Sequence, residues 1–280
     1  MTSEILEQSD VRFSISNDGW KRLNAGRRAA DLIREAVSNT FDADDVTEVK
    51  IRLEPGFASI EDNSPSGISD FALVTTVFLT DKEDSPIKRG RKGRGLKELI
   101  SAAEWAEVDT IGFKATFTNG RQVIKSVRTT GTKVSVRVKS WEKGDIDNAV
   151  VYLSKIIPPA RVALYINNVR IKPRRLRTEP PATLRTHLVR DGVQVEEYRN
   201  TNIEIFNLAK GETRGWIYEM GIPIQELTTR FHVNICQRVP LNDNRDTVDQ
   251  YYMYTLAERL LAKLAPSMSA RAMGHEWVDL

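Results

Sequence analysis

The stretch Glu35-Ala-Val-Ser-Asn39-Thr-Phe-Asp42 decides how this chain is read. It closes a helical pattern over residues 24–40, in which Ala29, Leu32, Ile33, Ala36 and Val37 share one apolar stripe. At ~100° per residue, Glu35, Asn39 and Asp42 fall within about 60° of one another, opposite that stripe. An acid and an amide one turn apart suit a hard cation and a water. Asn39 offers a carbonyl oxygen to magnesium, and Glu35 can take a proton from an attacking water. The plain alternative is an amphipathic helix whose polar face carries these residues for solubility, and the stretch alone does not decide against it.

Working outward, residues 46–53 and 57–61 read as strands joined by Glu54-Pro55-Gly56, a hairpin signal. Asp62 follows the second strand and opens Asp62-Asn-Ser-Pro-Ser-Gly67. A carboxylate fixed at a strand end can accept a hydrogen bond from an adenine amino group, while Gly67 lets backbone approach the base. The same residues also make an ordinary turn. Residues 71–79 are apolar enough for a buried helix. Then comes Lys88-Arg-Gly90-Arg-Lys-Gly93-Arg-Gly95-Leu-Lys97, just ahead of a helical pattern over 96–106. Glycines let backbone wrap phosphate oxygens, and amides at a helix N-terminus point at an anion. Neither the Walker pattern nor the dinucleotide fingerprint fits this loop.

Strand patterns follow at 107–112, 114–118, 122–129 and 132–139, a helix at 146–157, and a hairpin of 161–166 with 169–171 turning at Asn167-Asn168. Residues 11–16 alternate like a short strand. Pro173, Pro180 and Pro181 lie in a polar, basic stretch, read as a linker over 173–185. Strands at 203–208, 213–219 and 232–239 and a long helix at 248–264 complete the chain.

Glu-x-x-x-Asn on a helix, Asp62 after a strand, the glycine-rich loop and Gly131-Thr132-Lys-Val134, in this order, resemble the GHKL ATPases. These include gyrase B subunits, MutL proteins, topoisomerase VI B subunits, large heat-shock chaperones and sensor histidine kinases. The resemblance covers roughly residues 20–172. It implies an α/β (α+β) two-layer sandwich of the GHKL type over 1–172, then a smaller α/β transducer-like domain over 186–280. It also implies ATP and magnesium as cofactors. Glu35 would be the general base, Asn39 the magnesium ligand, Asp62 the adenine reader and Thr132 its support, with Asp42 near the nucleotide. Gly67, Gly90, Gly93, Arg94, Gly95, Leu96 and Lys97 would line the nucleotide, under a mobile lid at 80–95. The family's Asp-x-Gly-x-Gly is here Asp62-Asn-Ser-Pro-Ser-Gly67, without the first glycine and one residue longer.

Further on, Val239-Pro-Leu-Asn-Asp-Asn-Arg245-Asp-Thr-Val resembles the middle-domain loop of the large heat-shock chaperones, where an arginine reaches the terminal phosphate. Arg245 is the candidate for that role and Arg238 the reserve. The alternative is that Arg245 caps or salt-bridges the following helix. The expected output is an ATP-gated homodimeric clamp, with residues 1–20 exchanged between copies, linked to DNA as in MutL or topoisomerases. A chaperone-like ATPase and a non-catalytic nucleotide sensor are the rivals. A histidine kinase lacks its phosphoacceptor-histidine helix here.

The whole chain is compatible with this reading. Its 280 residues suit two domains, and 40% hydrophobic with 28% charged residues is ordinary globular composition. Cys236 is the lone cysteine and the three histidines show no paired spacing, so disulfides, thiolate clusters and zinc sites are not expected. No stretch approaches the roughly 20 apolar residues of a membrane span, and MTSEILEQSD has no apolar signal core; the cytoplasm is the expected compartment. The apolar ending from Gly274 to Leu280 reads as continuing into a longer protein. Net charge is only +3, but seven Lys or Arg fall between Lys82 and Lys97, and Lys172-Pro-Arg-Arg-Leu-Arg177 is a second basic run.

Overall fold

Alternating apolar residues give the main sheet one covered face. In β1 (Glu48–Glu54), Val49, Ile51 and Leu53 are buried while Lys50, Arg52 and Glu54 are exposed. The fold is known from a computed structural model that describes residues 16–24, 26–82, 84–90, 93–190, 193–242 and 244–267. The remaining strands of this sheet are β2 (Phe57–Asp62), β3 (Trp105–Thr110), β4 (Phe113–Phe117), β5 (Arg121–Lys125), β6 (Thr132–Arg137), β7 (Ala163–Ile166) and β8 (Val169–Arg170). Their spatial order is β5-β4-β3-β6-β2-β1-β7-β8, antiparallel except for the parallel pair β1–β7. Asn167 and Asn168 turn the β7–β8 hairpin with φ of 49° and 65°, as a two-residue primed turn requires.

The covered face carries α2 (Ala29–Phe41), α4 (Gly95–Ala102) and α5 (Lys143–Leu153). Leu32, Ile33 and Val37 of α2 meet Leu99 of α4 and Leu153 of α5 in one core with Ile51, Ile60 and Val136. The two layers form a mixed α/β sandwich, as the sequence predicts.

Several helices differ from expectation in extent. The pattern over 24–40 is one helix that starts later, α2 at Ala29, and a separate helix that was not expected, α1 (Asn17–Asn24), precedes it. Asn24 is buried, and its Nδ2 donates to the Trp20 carbonyl (2.9 Å) and to Ser101 Oγ (3.3 Å), fixing the end of α1 before Gly26. The segment 71–79 forms only α3 (Ala72–Thr75); Thr76 is extended and Phe78 is 55% exposed. Helix α4 ends at Ala102, because Ala103 is extended and Trp105 and Ala106 enter β3. The expected strand at 11–16 and the exchanged arm at 1–20 fall largely outside the described residues, as does the ending from Gly274.

A second sheet combines β9 (Leu176–Thr178), β10 (Pro181–Arg190), β11 (Val193–Asn207), β12 (Gly215–Glu219), β13 (Ile222–Leu227) and β14 (Phe231–Ile235). Its order is β10-β11-β14-β12-β13, with β9 beside β11. Helix α6 (Gln250–Leu264) covers it through Tyr252, Leu256 and Leu260. The prolines that read as a boundary lie beside or within structure: Pro181 is the first residue of the edge strand β10, where a missing N–H costs nothing. The two sheets are not separate beads. Ile222 belongs to the first core, Ile157 packs with Phe206 and Tyr218, and Tyr152 Oη donates to the Pro223 carbonyl (2.6 Å).

Candidate functional site

One cavity of about 760 Å³ lies between α2, the β2 and β6 ends, the segment 79–97 and the 244–245 loop. Its volume is that of a site for a cofactor-sized ligand. Every site residue singled out in the sequence lines it, from Glu35 and Asn39 on α2 to Asp62, Thr132, the glycine-rich segment and Arg245. Arg238 does not.

At one end, Asp62 is buried at the close of β2. Its Oδ1 accepts the Ser64 N–H (2.9 Å) and Ser64 Oγ (2.6 Å), while Oδ2 has no partner among the described residues. Ser64 stands where the family pattern has glycine, so the departure supplies a hydroxyl that orients the carboxylate. Gly131 (φ 66°) donates to the Ser64 carbonyl (2.6 Å), and a Cβ there would run into the Asp62 backbone. Thr132 Oγ1 pairs with Thr110 Oγ1 (2.8 Å), which accepts the Ile68 N–H (2.9 Å) beside Gly67. Thr132 thus supports the Gly67 side of the pocket, while Ser64 supports Asp62.

At the other end, α4 begins inside the pocket with Gly95, Leu96 and Lys97, and no side chain caps it. Such a helix start offers free N–H groups to an anion. Lys97 Nζ donates to the Leu79 carbonyl (3.2 Å). Burial, with Lys82 nearby, pushes its pKa from 10.5 down to about 8. Asn39 faces the cavity without a hydrogen-bond partner among the described residues. Asp42 is fully engaged by the basic segment: it accepts the Arg89 and Gly90 N–H groups (2.9 and 2.8 Å) and the Arg89 Nη1 (3.1 Å), and pairs with Lys82 (3.5 Å).

Glu35 is the most constrained group. Gly95 packs so close that a Cβ there would lie 2.5 Å from Glu35 Cβ. Glu35 Oε2 accepts Arg245 Nη1 (2.9 Å) and Oε1 accepts Arg34 Nη2 (3.3 Å). Burial raises its pKa, but Arg245, Arg34 and Arg27 outweigh burial and hold the carboxyl below its ordinary value. Arg245 Nη2 donates to Glu219 Oε2 (2.6 Å), its φ is 59°, and its buried Nε has no partner among the described residues. Arg245 does not cap α6: Asp249 does, accepting the Tyr252 N–H (2.9 Å).

Sequence reasoning missed Ser64, Arg34, Lys82 and Glu219. The Asp-x-Ser spacing could have shown Ser64, as the side-chain turn of an aspartate two residues back. Arg34 gave no signal, because a buried arginine beside an apolar stripe reads as surface.

Among the described residues, no three of His, Cys, Asp or Glu cluster as a metal cage. A magnesium ion here would instead rest on the Asn39 carbonyl oxygen together with oxygens of a bound ligand, as it commonly binds with substrate. No helix among the described residues is long and apolar enough to cross a membrane.

No family model matches the sequence, and no curated protein matches it. Its fold does match that of the ATPase region of Saccharomyces cerevisiae topoisomerase II bound to ICRF-187 (dexrazoxane), with TM-score 0.51 over 85% of each chain at 8% identity. The chain therefore shares the fold of that ATPase region.

Proposed function

We propose that this chain binds ATP with magnesium and hydrolyses it, as the motor of a dimeric clamp that acts on DNA in the cytoplasm. The observation that carries the reading is convergence. Residues chosen from four separate motifs line one cavity, and Arg245 enters it from the second sheet to touch Glu35. Residues 1–172 would be the nucleotide-binding domain, 173–185 the connection and 186–280 the transducer-like domain.

In this reading Asp62 Oδ2 accepts the adenine amino group, with Gly67 beside the ring. Phosphates lie on the amides of Gly95, Leu96 and Lys97, with Gly90, Gly93, Arg94 and the Lys82 and Lys97 ammonium groups around them. Asn39 would hold magnesium, which supplies neutralisation of phosphate charge. Arg245 is drawn from Glu35 to the terminal phosphate, which would also give its Nε the acceptor it lacks among the described residues. Glu35 is thereby freed to orient and deprotonate the attacking water. Glu35→Ala should keep ATP affinity and lose on the order of a hundredfold in hydrolysis. A mutant that turns over ATP at the wild-type rate would place the base elsewhere.

The exposed Lys172, Arg175 and Arg177 favour a polyanion as partner. A chaperone-like ATPase is the second reading, favoured by the Arg245 loop. DNA affinity that neither falls with salt nor changes with a non-hydrolysable ATP analogue would favour it.

A further inference from the structure

The segment above the phosphate end is held from behind by the second sheet. Arg238, just past β14, is 1% exposed. Its Nε donates to the Lys88 carbonyl (2.9 Å), and its Nη2 to the carbonyls of Lys82 (2.5 Å) and Gly90 (2.8 Å). Its backbone N–H donates to the Pro86 carbonyl (2.8 Å). Residues 82 and 84–90 lie in neither helix nor strand, so their carbonyls take partners from outside, and one guanidinium bonds three of them. Arg238 is itself tied to β10, where Thr186 Oγ1 donates to its carbonyl (2.9 Å). The contact is reciprocal. Arg89, from the same segment, donates through Nε (2.9 Å) and Nη2 (2.5 Å) to the Met220 carbonyl, between β12 and β13.

Gly90 is where the two holds meet. Its N–H goes to Asp42 of the first unit (2.8 Å) and its carbonyl to Arg238 of the second (2.8 Å). A Cβ on Gly90 would stand 3.2 Å from Asn39 Oδ1, so the peptide fixed by Arg238 lies directly against the candidate magnesium ligand.

We propose that Arg238 is a positioning residue that sets, from the second unit, where the lid stands over the phosphates. Nucleotide phosphates and the placement of the second unit then report on each other through the backbone of 82–90. This rests on the nucleotide reading above. A lysine cannot reproduce the hold, because one ammonium cannot span carbonyls that a planar fork reaches together.

The test uses the full chain with Arg238→Ala and Arg238→Lys. In the nucleotide-free protein, amide hydrogen exchange over 82–90 should rise about tenfold or more in Arg238→Ala, and less in Arg238→Lys, while β14 stays protected. A non-hydrolysable ATP analogue should bind about tenfold more weakly to Arg238→Ala, while adenosine, which needs only the Asp62 end, binds as to wild type. Unchanged exchange over 82–90 overturns the proposal, and so does an equal loss of adenosine and analogue. Should Arg238→Ala fail to fold by circular dichroism, Arg238→Lys decides on the same two readouts, and wild-type behaviour in both overturns it. A wild-type chain that binds neither adenosine nor the analogue brings down the nucleotide reading instead, and the exchange arm still decides whether Arg238 holds the lid.

Discussion

At the residue scale, the site is a set of groups prepared for opposite charges. Asp62 is half satisfied: Ser64 occupies Oδ1 and leaves Oδ2 as an acceptor. Asp62→Asn should therefore weaken ATP and adenosine alike by about tenfold, ~1.4 kcal/mol, since an amide offers a donor where an acceptor is needed. Calorimetry that gives equal affinities for mutant and wild type would remove Asp62 from the adenine end. Lys97 makes a prediction with a sign. Burial lowers its pKa to about 8, so the folded, ligand-free protein carries the ammonium below that pH and loses it above. ATP affinity should fall as pH rises from 7 through about 8 to 9, and Lys97→Met should flatten that fall. The linked stability moves the other way. The pKa is depressed from 10.5, so charging Lys97 disfavours the folded state, and this penalty is relieved as pH rises from about 8 towards 10.5. The melting temperature of ligand-free wild type should thus gain on Lys97→Met over that interval. A gap that stays constant would show that Lys97 is not charged against its surroundings.

At the element scale, the start of α4 and the face of α2 must be in near contact for Glu35 to stand over the phosphate end. Gly95 permits that contact. Gly95→Ala adds helix propensity, yet its Cβ would press on Glu35 Cβ, on a helix buried in the core. The start of α4 should move off α2, with about tenfold or more lost in ATP turnover and little change in adenosine affinity. Turnover equal to wild type would mean that the helices yield without cost. Much of this scale was legible beforehand. The α2 stripe, the β1–β2 hairpin at Gly56, the strand series after α4 and the Asn167-Asn168 turn follow from period and turn chemistry, which are local. What stayed hidden depends on tertiary contact. Asn24 ends α1 by bonding to Ser101, far along the chain. Phe78 is apolar but exposed, so it read as core. Strands β10 and β13 were masked by Pro181 and Pro223, which are tolerated at a strand start on an edge and on the edge strand β13. Glu219 was invisible as a site residue for the same reason: its importance lies in Arg245, which it meets from far along the chain.

At the scale of the whole molecule, the two sheets meet at a buried charge cluster with Arg245 at its centre. Burial works against its charge, but Glu35 and Glu219 outweigh burial and raise its pKa. It spans the units, with Nη1 on Glu35 of α2 and Nη2 on Glu219 of β12. Arg34 adds a clasp from the first unit, donating to the carbonyls of Asn244 (3.0 Å) and Arg245 (3.3 Å). Removing Arg245 would take from two buried carboxylates their shared partner. Deleting one side of a buried pair costs about 3–5 kcal/mol where nothing else compensates, and Arg34 on Glu35 and the Val239 N–H on Glu219 reduce that loss. A lower melting temperature in Arg245→Ala is thus expected whether or not the residue ever touches a phosphate. The decisive comparison lies between nucleotides. If Arg245 moves from Glu35 to the terminal phosphate, its deletion lowers ATP turnover by about a hundredfold or more and leaves ADP affinity within about twofold, because ADP lacks the group it stabilises. Arg245→Lys should restore stability better than turnover, since a point charge can neutralise Glu35 but cannot fork onto phosphate oxygens. Turnover, ADP affinity and melting temperature measured side by side on both variants separate the cases. ADP and ATP affinities that fall together with stability would make Arg245 a strut between the units, and normal turnover in Arg245→Ala would end its phosphate role.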